Sequence, residues 1–442
     1  MKNNPPNIVH VTADSLRADH CGFLNRSAET TPALDQLADD SIVFQNAIAP
    51  APRTPTSIPE TVTGELMPKG EPTSHSDRFA RISNHLMEHS TLAQRLSEAG
   101  YTTIGFVGNP WLTRRSGIHQ GFDEFHELGI VEDESLFRRV SLAGFGGMAL
   151  GDLALWIDRW RHRRGFFAQW ETYVDKLFST MRETEPPYYV WVFLMEPHNP
   201  YITPRQDRIE NSTLGMYYGL VRGNEIFHST DTDTSMKTKL PSHVEKRVER
   251  AYRDTIRSVD RFVGTLKSEL GDDDVLLFHA DHGEAFNEHG TYGHQHQLYE
   301  ENIHVPLLWY DAAEERGAVI EQPFSLRGLP RLVSERIGSG IHPSEESVTS
   351  GYTVSRTESA DLVGVRTSRY KYIYSEEGDD RLFDLAADPQ ELDDCSVAEP
   401  VRCERYRAIV QQFRDGLEDF SEAGMEEVPT SIEQNLKSLG YK

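Results

Sequence analysis

The chain alternates short apolar runs with stretches in which apolar residues recur at helical spacing. The apolar runs predict strands, because a continuous run of this length is typical of a strand buried on both faces. Up to residue 340 the predicted strands are Ile8–Ala13, Ser41–Phe44, Thr102–Val107, Tyr188–Leu194, Asp274–His279 and Val305–Trp309. The predicted helices among them are Pro32–Leu37, Thr91–Ala99 and His243–Leu270. This alternation predicts an α/β fold, with a doubly wound, mostly parallel sheet flanked by helices.

One further helix is predicted from its capping residues. Ser57 and Glu60 have the spacing of a capping box, in which each side chain binds the backbone of the other residue. Pro59 is compatible with a first helical turn, where its missing N–H would have had no helical partner. The helix is therefore expected to begin at Ser57, and Thr54 is expected to lie in the loop just before it.

The pattern changes near residue 340, and two units are predicted. Residues 1–340 are expected to form the α/β domain, with the helical and charged segment 126–186 inserted between two of its strands. Residues 341–442 are expected to form a smaller α+β subdomain with a short antiparallel sheet and a helix. Its predicted elements are strands Gly351–Val354, Leu362–Arg366 and Tyr370–Tyr374 and helix Val401–Phe420.

Composition narrows the class of protein. The 442 residues are 38% hydrophobic, so a large buried core can form. The formal net charge is −25, and basic residues do not alternate with aromatic ones in any stretch. Such a chain repels phosphate backbones, which argues against nucleic-acid binding as its main activity. The sequence leaves the oligomeric state open.

The first residues and the cysteines favour a reduced compartment. Residues 1–6 lead directly into the first strand without an apolar leader, and three cysteines are too few for a disulfide framework. A cytoplasmic protein is therefore expected. The Gly- and Leu-rich segment Val140–Trp156 is interrupted by Asp152 and is short for a membrane span, so no transmembrane segment is predicted. A buried or lid helix is favoured there, with interfacial membrane contact as the alternative.

Polar side chains follow several of the predicted strands. Asp14, Glu196, His198, Asp281 and His282 come directly after strand ends. In open parallel sheets, sites gather at the carboxyl ends of the strands. Carboxylates and imidazoles that converge from separate strands are the usual ligands of divalent metals. These positions therefore predict a metal-containing site at this edge of the sheet.

Ordered segments of the chain resemble the motifs of sulfatase-like hydrolases of the alkaline phosphatase superfamily. The first-strand motif, the nucleophile motif and the later metal-binding motif occur in the family's order. The similar segments are Asn7–His20, Thr31–Ala38, Thr54–Gly64, Glu196–Tyr201, Asp281–Pro306, Val365–Ile373 and Leu382–Leu385. The resemblance implies an alkaline phosphatase-like fold and ester hydrolysis.

The chain departs from the sulfatase motifs at the nucleophile. Sulfatases have a cysteine or serine, converted to formylglycine, where Thr54 stands, and an arginine where Ile58 stands. Threonine cannot give formylglycine. The sequence is similar here to the relatives that use a threonine nucleophile, which are nucleotide pyrophosphatase/phosphodiesterases and phosphoethanolamine or glycerol-phosphate transferases.

The resemblance implies a metal site held by Asp14, Thr54, Asp281 and His282. Sulfatases have two adjacent aspartates in the first motif and an Asp-Asn pair in the later one, whereas this chain has Asp14-Ser15 and Asp281-His282. Exchange of an oxygen ligand for imidazole shifts the preference from calcium towards zinc or manganese. One site is expected, and Glu196 is a further candidate ligand.

The resemblance also implies the remaining roles. Thr54 is the expected nucleophile, while His198 and His294 are the expected groups that stabilise an oxygen of the transferred group or protonate the leaving group. Asn109 and His296 are expected to contact the substrate. The alternative for Glu196, His198 and His294 is a second metal site, as in two-metal phosphatases.

The expected activity is metal-dependent hydrolysis of phosphate esters, either diesters or monoesters, on a small molecule or on an ester linked to a glycan or lipid. The first alternative is a sulfatase, which would cleave sulfuric esters. A noncatalytic anion-binding homologue is the second. A transferase that acts at a membrane is the third, and the lack of a transmembrane segment argues against it.

Overall fold

The computed structural model describes residues 5–129, 167–216, 218–219, 239–294, 296–313, 317–348, 350–420, 428–429, 432–433 and 436. The segment Val140–Trp156 and most of the predicted insertion lie outside these residues. The described strands are β1 Asn7–Ala13, β2 Ser41–Ile48, β3 Thr102–Val107, β4 Glu124–Glu127, β5 Tyr188–Leu194, β6 Asp274–Ala280, β7 Ala285–Phe286, β8 Tyr292–Gly293, β9 Leu307–Asp311, β10 Ala318–Ser325, β11 Thr353–Arg356, β12 Leu362–Arg366, β13 Tyr370–Ser375 and β14 Arg381–Asp384. The described helices longer than one 3₁₀ turn are α1 Pro32–Asp39, α2 Thr54–Thr63, α3 His75–Glu88, α4 Leu92–Glu98, α5 Val174–Glu183, α6 Ser242–Lys267, α7 Glu300–Ile303, α8 Leu329–Ser339 and α9 Pro400–Asp415.

The central sheet confirms the predicted fold class. Within the described residues it has eight strands in the order β10-β2-β9-β6-β1-β5-β3-β4. β9 pairs antiparallel with both β2 and β6, and the other pairs are parallel, so the sheet is mixed but mostly parallel. The inner strands β5 and β6 are buried along their whole length, as their continuous apolar sequences predict.

A second, smaller sheet follows in the chain. Strands β11 to β14 pair antiparallel in sequence order. Helix α9 covers this sheet, and Tyr406 and Val410 of the helix pack into one apolar cluster with Val363, Val365 and Leu382 of the strands. The C-terminal antiparallel sheet and helix were predicted, while the domain boundary at residue 340 stays a prediction.

One helix start differs from the sequence-based prediction. Helix α2 begins at Thr54, not at Ser57, because Arg53 takes the N-cap position and its carbonyl accepts the Ser57 N–H at 2.8 Å. The predicted capping box is absent: the Ser57 hydroxyl donates to the Asp281 carbonyl at 2.6 Å. Helix α1 begins at Pro32 as predicted, and Asp260 of α6 caps it by accepting the N–H of Leu34 at 2.8 Å.

A buried ion pair connects α2 to the second sheet. Glu60 and Arg356 are 0% and 1% exposed, and Arg356 Nη2 donates to Glu60 Oε1 at 2.7 Å and to the Met67 carbonyl at 2.6 Å.

Among the described residues, no helix has the length and apolar character that a membrane span requires.

Arg356→Met is expected to destabilise the protein by about 3 to 5 kcal/mol, because it leaves the Glu60 carboxylate buried without its counter-charge. Chemical denaturation measures this loss as a change in the free energy of unfolding. The matched control is Arg331→Met, which removes an arginine whose side chain is 48% exposed and should cost less than about 0.5 kcal/mol. A loss below about 1 kcal/mol for Arg356→Met would contradict a stabilising role of the pair.

Candidate functional site

Strand register brings the candidate ligands together. Ala13 of β1 lies opposite Ala280 of β6 in the parallel ladder, so the next residues, Asp14 and Asp281, emerge side by side. On the other side of β1, the Asp14 N–H donates to the Leu194 carbonyl at the end of β5 at 2.8 Å. The three strand ends therefore form one edge, as the sequence predicted.

Asp14, Asp281 and His282 form a compact group of ligand atoms. Among the residues that the structure describes, one atom from each lies within 4.8 Å of the others, and all three side chains are buried. The His282 Nδ1 lies 2.9 Å from the Gly283 carbonyl and therefore carries the hydrogen. This leaves the lone pair of Nε2, which faces Asp281 Oδ2 at 3.4 Å and Asp14 Oδ1 at 3.7 Å.

Burial of two carboxylates so close together is unfavourable without a cation. The pKa of Asp14 is raised well above its usual value by burial and then by the charge of Asp281. Ser15 and Asn109 offset part of this effect, because their side chains donate to Asp14 at 2.9 Å and 2.8 Å. Two carboxylates, an imidazole lone pair and a hydroxyl fit a divalent metal.

Thr54 contacts this group from the N-terminus of α2. Its Oγ1 lies 2.8 Å from Asp281 Oδ2 and 3.1 Å from His282 Nε2. A hydroxyl has one hydrogen, so when it donates to the carboxylate its lone pair faces that of the imidazole. A shared cation would relieve this contact. The positive end of the helix dipole also favours an anion beside Thr54.

Backbone strain is located directly beside Asp14. Ser15 has a φ of +59°, a left-handed conformation that costs energy for a residue with a side chain. It is held by two contacts: its N–H donates to Asp281 Oδ1 at 3.1 Å, and its carbonyl accepts the Tyr252 hydroxyl at 2.7 Å. Tyr252 was not predicted from the sequence, because no local motif connects it to the first strand.

Two further histidines border the group. The ring of His294 lies 4.7 Å from that of His282 and 5.1 Å from that of His198, measured between centroids. Burial, then the charges of His282 and His198, lower the pKa of His294 well below its usual value. Its Nδ1 lies 3.3 Å from Glu284 Oε1. Glu284, which is also buried, was missed as a site residue although it follows His282 by two positions.

Three predicted residues have contacts that the sequence did not indicate. Glu196 lies outside the group of ligands: its Oε1 accepts the Trp170 N–H at 2.8 Å, and burial raises its pKa to about 7. Asn109 donates to Asp14 and accepts the Trp111 N–H at 2.9 Å. His296 lies 2.5 Å from Asp361 of the second sheet. Their roles as ligand or substrate contacts stay predictions.

The profile of the sulfatase family matches residues 6–327. The chain belongs to the sulfatase family. Within this family it is 22% identical over 460 residues to an arylsulfatase of Clostridium perfringens, covering 92% of this chain and 93% of that protein. It is 28% identical over 483 residues to a choline-sulfatase of Rhizobium meliloti, covering 94% of this chain and 86% of that protein. The sulfatase family assignment makes this protein an ester hydrolase.

Solved structures share the sulfatase fold of the alkaline phosphatase superfamily. A phosphonate monoester hydrolase of Agrobacterium radiobacter superposes with a TM-score of 0.66 at 17% identity, covering 93% of this chain and 95% of that one. A 2-O GAG sulfatase superposes with a TM-score of 0.64 at 16% identity, covering 93% and 92%. The fold of this sulfatase-family protein is thus shared by proteins that are named for different esters, a phosphonate monoester and a sulfate.

Proposed function

We propose that this protein is a metal-dependent phosphoesterase in which Thr54 is the nucleophile. The observation that carries the proposal is the position of Thr54 Oγ1, at 2.8 Å from Asp281 and 3.1 Å from His282 at the start of a helix. Asp14, Asp281, His282 and Thr54 would hold the metal. The imidazole favours zinc or manganese over calcium.

Bound at these residues, the metal would lower the pKa of the threonine hydroxyl and offset the charge of the ester. Thr54 donates its hydrogen bond to Asp281 Oδ2, so this carboxylate is placed to receive the hydroxyl proton. Attack of Oγ1 on phosphorus forms a Thr54 phosphoester and breaks the bond to the leaving group. His198 would give that oxygen a proton, and His294, whose pKa is lowered, would donate a hydrogen bond to an oxygen of the transferred group.

The nucleophile is the reason to favour phosphorus over sulfur. A hydrated formylglycine has a second hydroxyl on the same carbon, which can expel the sulfate. Thr54 has one hydroxyl, so its covalent ester must be cleaved by attack of water on the central atom, which returns the hydroxyl to Thr54. A phosphoryl group develops more charge for cations to stabilise than a sulfuryl group does.

Sulfuric ester hydrolysis is the second candidate. The curated relatives of similar length, an arylsulfatase and a choline-sulfatase, favour it. Small-molecule esters and esters on glycans or lipids are proposed as substrates under either candidate. The buried nucleophile and ligands argue against a noncatalytic homologue, because loss of activity usually removes one of them.

A panel of nitrophenyl esters separates the two candidates. We expect kcat/KM for 4-nitrophenyl phosphate or bis(4-nitrophenyl) phosphate to exceed that for 4-nitrophenyl sulfate by at least about tenfold, or roughly 1.4 kcal/mol. The diester should be the better of the two phosphates. Purified Thr54→Ala protein is the control for contaminating phosphatases. A higher kcat/KM for the sulfate would favour the sulfatase candidate instead.

A further inference from the structure

One loop of the second sheet reaches two cationic side chains beside the candidate site. The loop Thr357–Asp361 connects β11 to β12. Its Glu358 carboxylate lies 3.8 Å from the guanidinium of Arg53, and its Asp361 carboxylate lies 2.5 Å from His296 Nε2. Since the two acids are three positions apart in one short loop, the side chains of Arg53 and His296 both lie against this loop.

Both residues are close in the chain to residues of the candidate site. Arg53 directly precedes Thr54, and its carbonyl accepts the N–H of Ser57, so the start of α2 fixes its backbone. His296 follows His294 by two residues. Their side chains are 25% and 39% exposed, so both are accessible from solvent.

Nearby carboxylates hold the side chains of Arg53 and His296 in place. Glu358 already accepts two hydrogen bonds from Arg78, at 3.1 Å and 2.9 Å, and is shared between Arg78 and Arg53. Arg53, Arg78 and His296 thus face the two loop carboxylates, and the exposed Glu71 also acts on His296. Solvent screens an exposed carboxylate more than a half-buried guanidinium.

The titration of His296 agrees with this arrangement. Burial lowers its pKa, but the hydrogen bond and charge of Asp361 outweigh burial, and the pKa is raised overall. Arg53 opposes part of that increase and also contributes to the lowered pKa of His294, after burial, His282 and His198.

We propose that Arg53 and His296 form a second anion-binding subsite, which takes a negatively charged group on the part of the substrate beyond the ester that Thr54 attacks. The substrate class is then an ester with an additional carboxylate, phosphate or sulfate. This inference rests on the proposed function only in placing the reacting ester at Thr54. Arg53 would act by charge and bidentate hydrogen bonding, as arginines that bind oxyanions do.

Calorimetry with matched ligands tests the subsite without turnover. Thr54→Ala protein supplied with the divalent metal is titrated with ethyl phosphate and 2-phosphoglycolate, and with phenyl phosphate and 4-carboxyphenyl phosphate. The carboxylate in these pairs lies at two distances from the ester. In at least one pair, the carboxylated ligand should bind at least about fivefold tighter, as expected for a charge-assisted hydrogen bond.

Substitutions of Arg53 and His296 test whether the preference for the carboxylated ligand depends on these two residues. Arg53→Gln and His296→Gln, each added to Thr54→Ala, should reduce the preference to below about twofold, while Arg53→Lys should retain part of it. The control Arg331→Gln removes a remote exposed arginine and should leave the preference unchanged. Equal affinities within both pairs, or a preference that survives both glutamine variants, would overturn the subsite.

The same comparison with phenyl sulfate and 4-carboxyphenyl sulfate separates the two proposals. If only the sulfates bind and the carboxylate strengthens binding, the subsite holds while the phosphoesterase assignment fails. If the phosphates bind with no effect of the carboxylate, the phosphoesterase assignment holds while the subsite fails. If none of the six ligands binds, the subsite is overturned as well.

Discussion

Replacement of Thr54 by alanine is expected to lower kcat by at least about a thousandfold, because removal of a nucleophile leaves only binding and electrostatic stabilisation to promote the reaction. The deleted hydroxyl contacts Asp281 and His282, both fully buried, so the change acts at the centre of the site. Steady-state kinetics on the best ester of the panel measures the effect. Circular dichroism should show an unchanged fold.

Two variants control this result. Thr54→Ser keeps a hydroxyl at the same position and should retain activity within about tenfold of the parent. Thr56→Ala removes a buried threonine of the same helix, two positions away, and should leave kcat nearly unchanged. If Thr54→Ala kept more than about a few per cent of the activity, a water molecule would be the attacking group and Thr54 only a ligand or cap.

The strands were predicted best because burial on both faces leaves a plain signal in the sequence. The predicted bounds Thr102–Val107, Tyr188–Leu194 and Leu362–Arg366 match those of β3, β5 and β12. The antiparallel pairing of β9 was not predicted, since an apolar run does not indicate whether the strand pairs parallel or antiparallel with its neighbours. Helix α3 was also missed, although Phe79, Ile82 and Leu86 recur in it at helical spacing.

The start of α2 shows where local signals fail. Ser57 and Glu60 have the spacing of a capping box, but both side chains bind groups that are distant in the sequence, Asp281 and Arg356. Such partners lie more than two hundred positions away, and local spacing has no information about them. With both side chains engaged elsewhere, the helix extends to Thr54 and places the hydroxyl in its first turn.

The site was predictable to the extent that it follows from strand ends. Asp14, Asp281 and His282 converge because parallel register brings successive strand ends together. Glu196 also follows a strand end, yet its carboxylate binds the Trp170 backbone, because side-chain direction decides its partner. The cationic pair of Arg53 and His296 depends on a loop of the second sheet, which no motif connects to the nucleophile.

Removal of a metal ligand is the second large expected effect. Asp281→Asn should lower both bound metal and kcat/KM by at least about a hundredfold, since loss of a group that merely supports a ligand already costs up to about that factor. Asp281 also accepts hydrogen bonds from the Thr54 hydroxyl and the Ser15 N–H. The substitution therefore removes a negative charge that both the metal and these two donors would contact. Metal analysis by mass spectrometry and kinetics on the same samples measure both quantities.

The matched control is Asp273→Asn, which makes the same change in the exposed loop at the opposite end of β6 and should affect neither quantity. In the parent protein, EDTA should abolish activity, and zinc or manganese should restore it because Nε2 of His282 suits these ions better than calcium. His282→Ala should behave like Asp281→Asn. Full activity without a divalent metal, or recovery with calcium alone, would refute the ligand assignment.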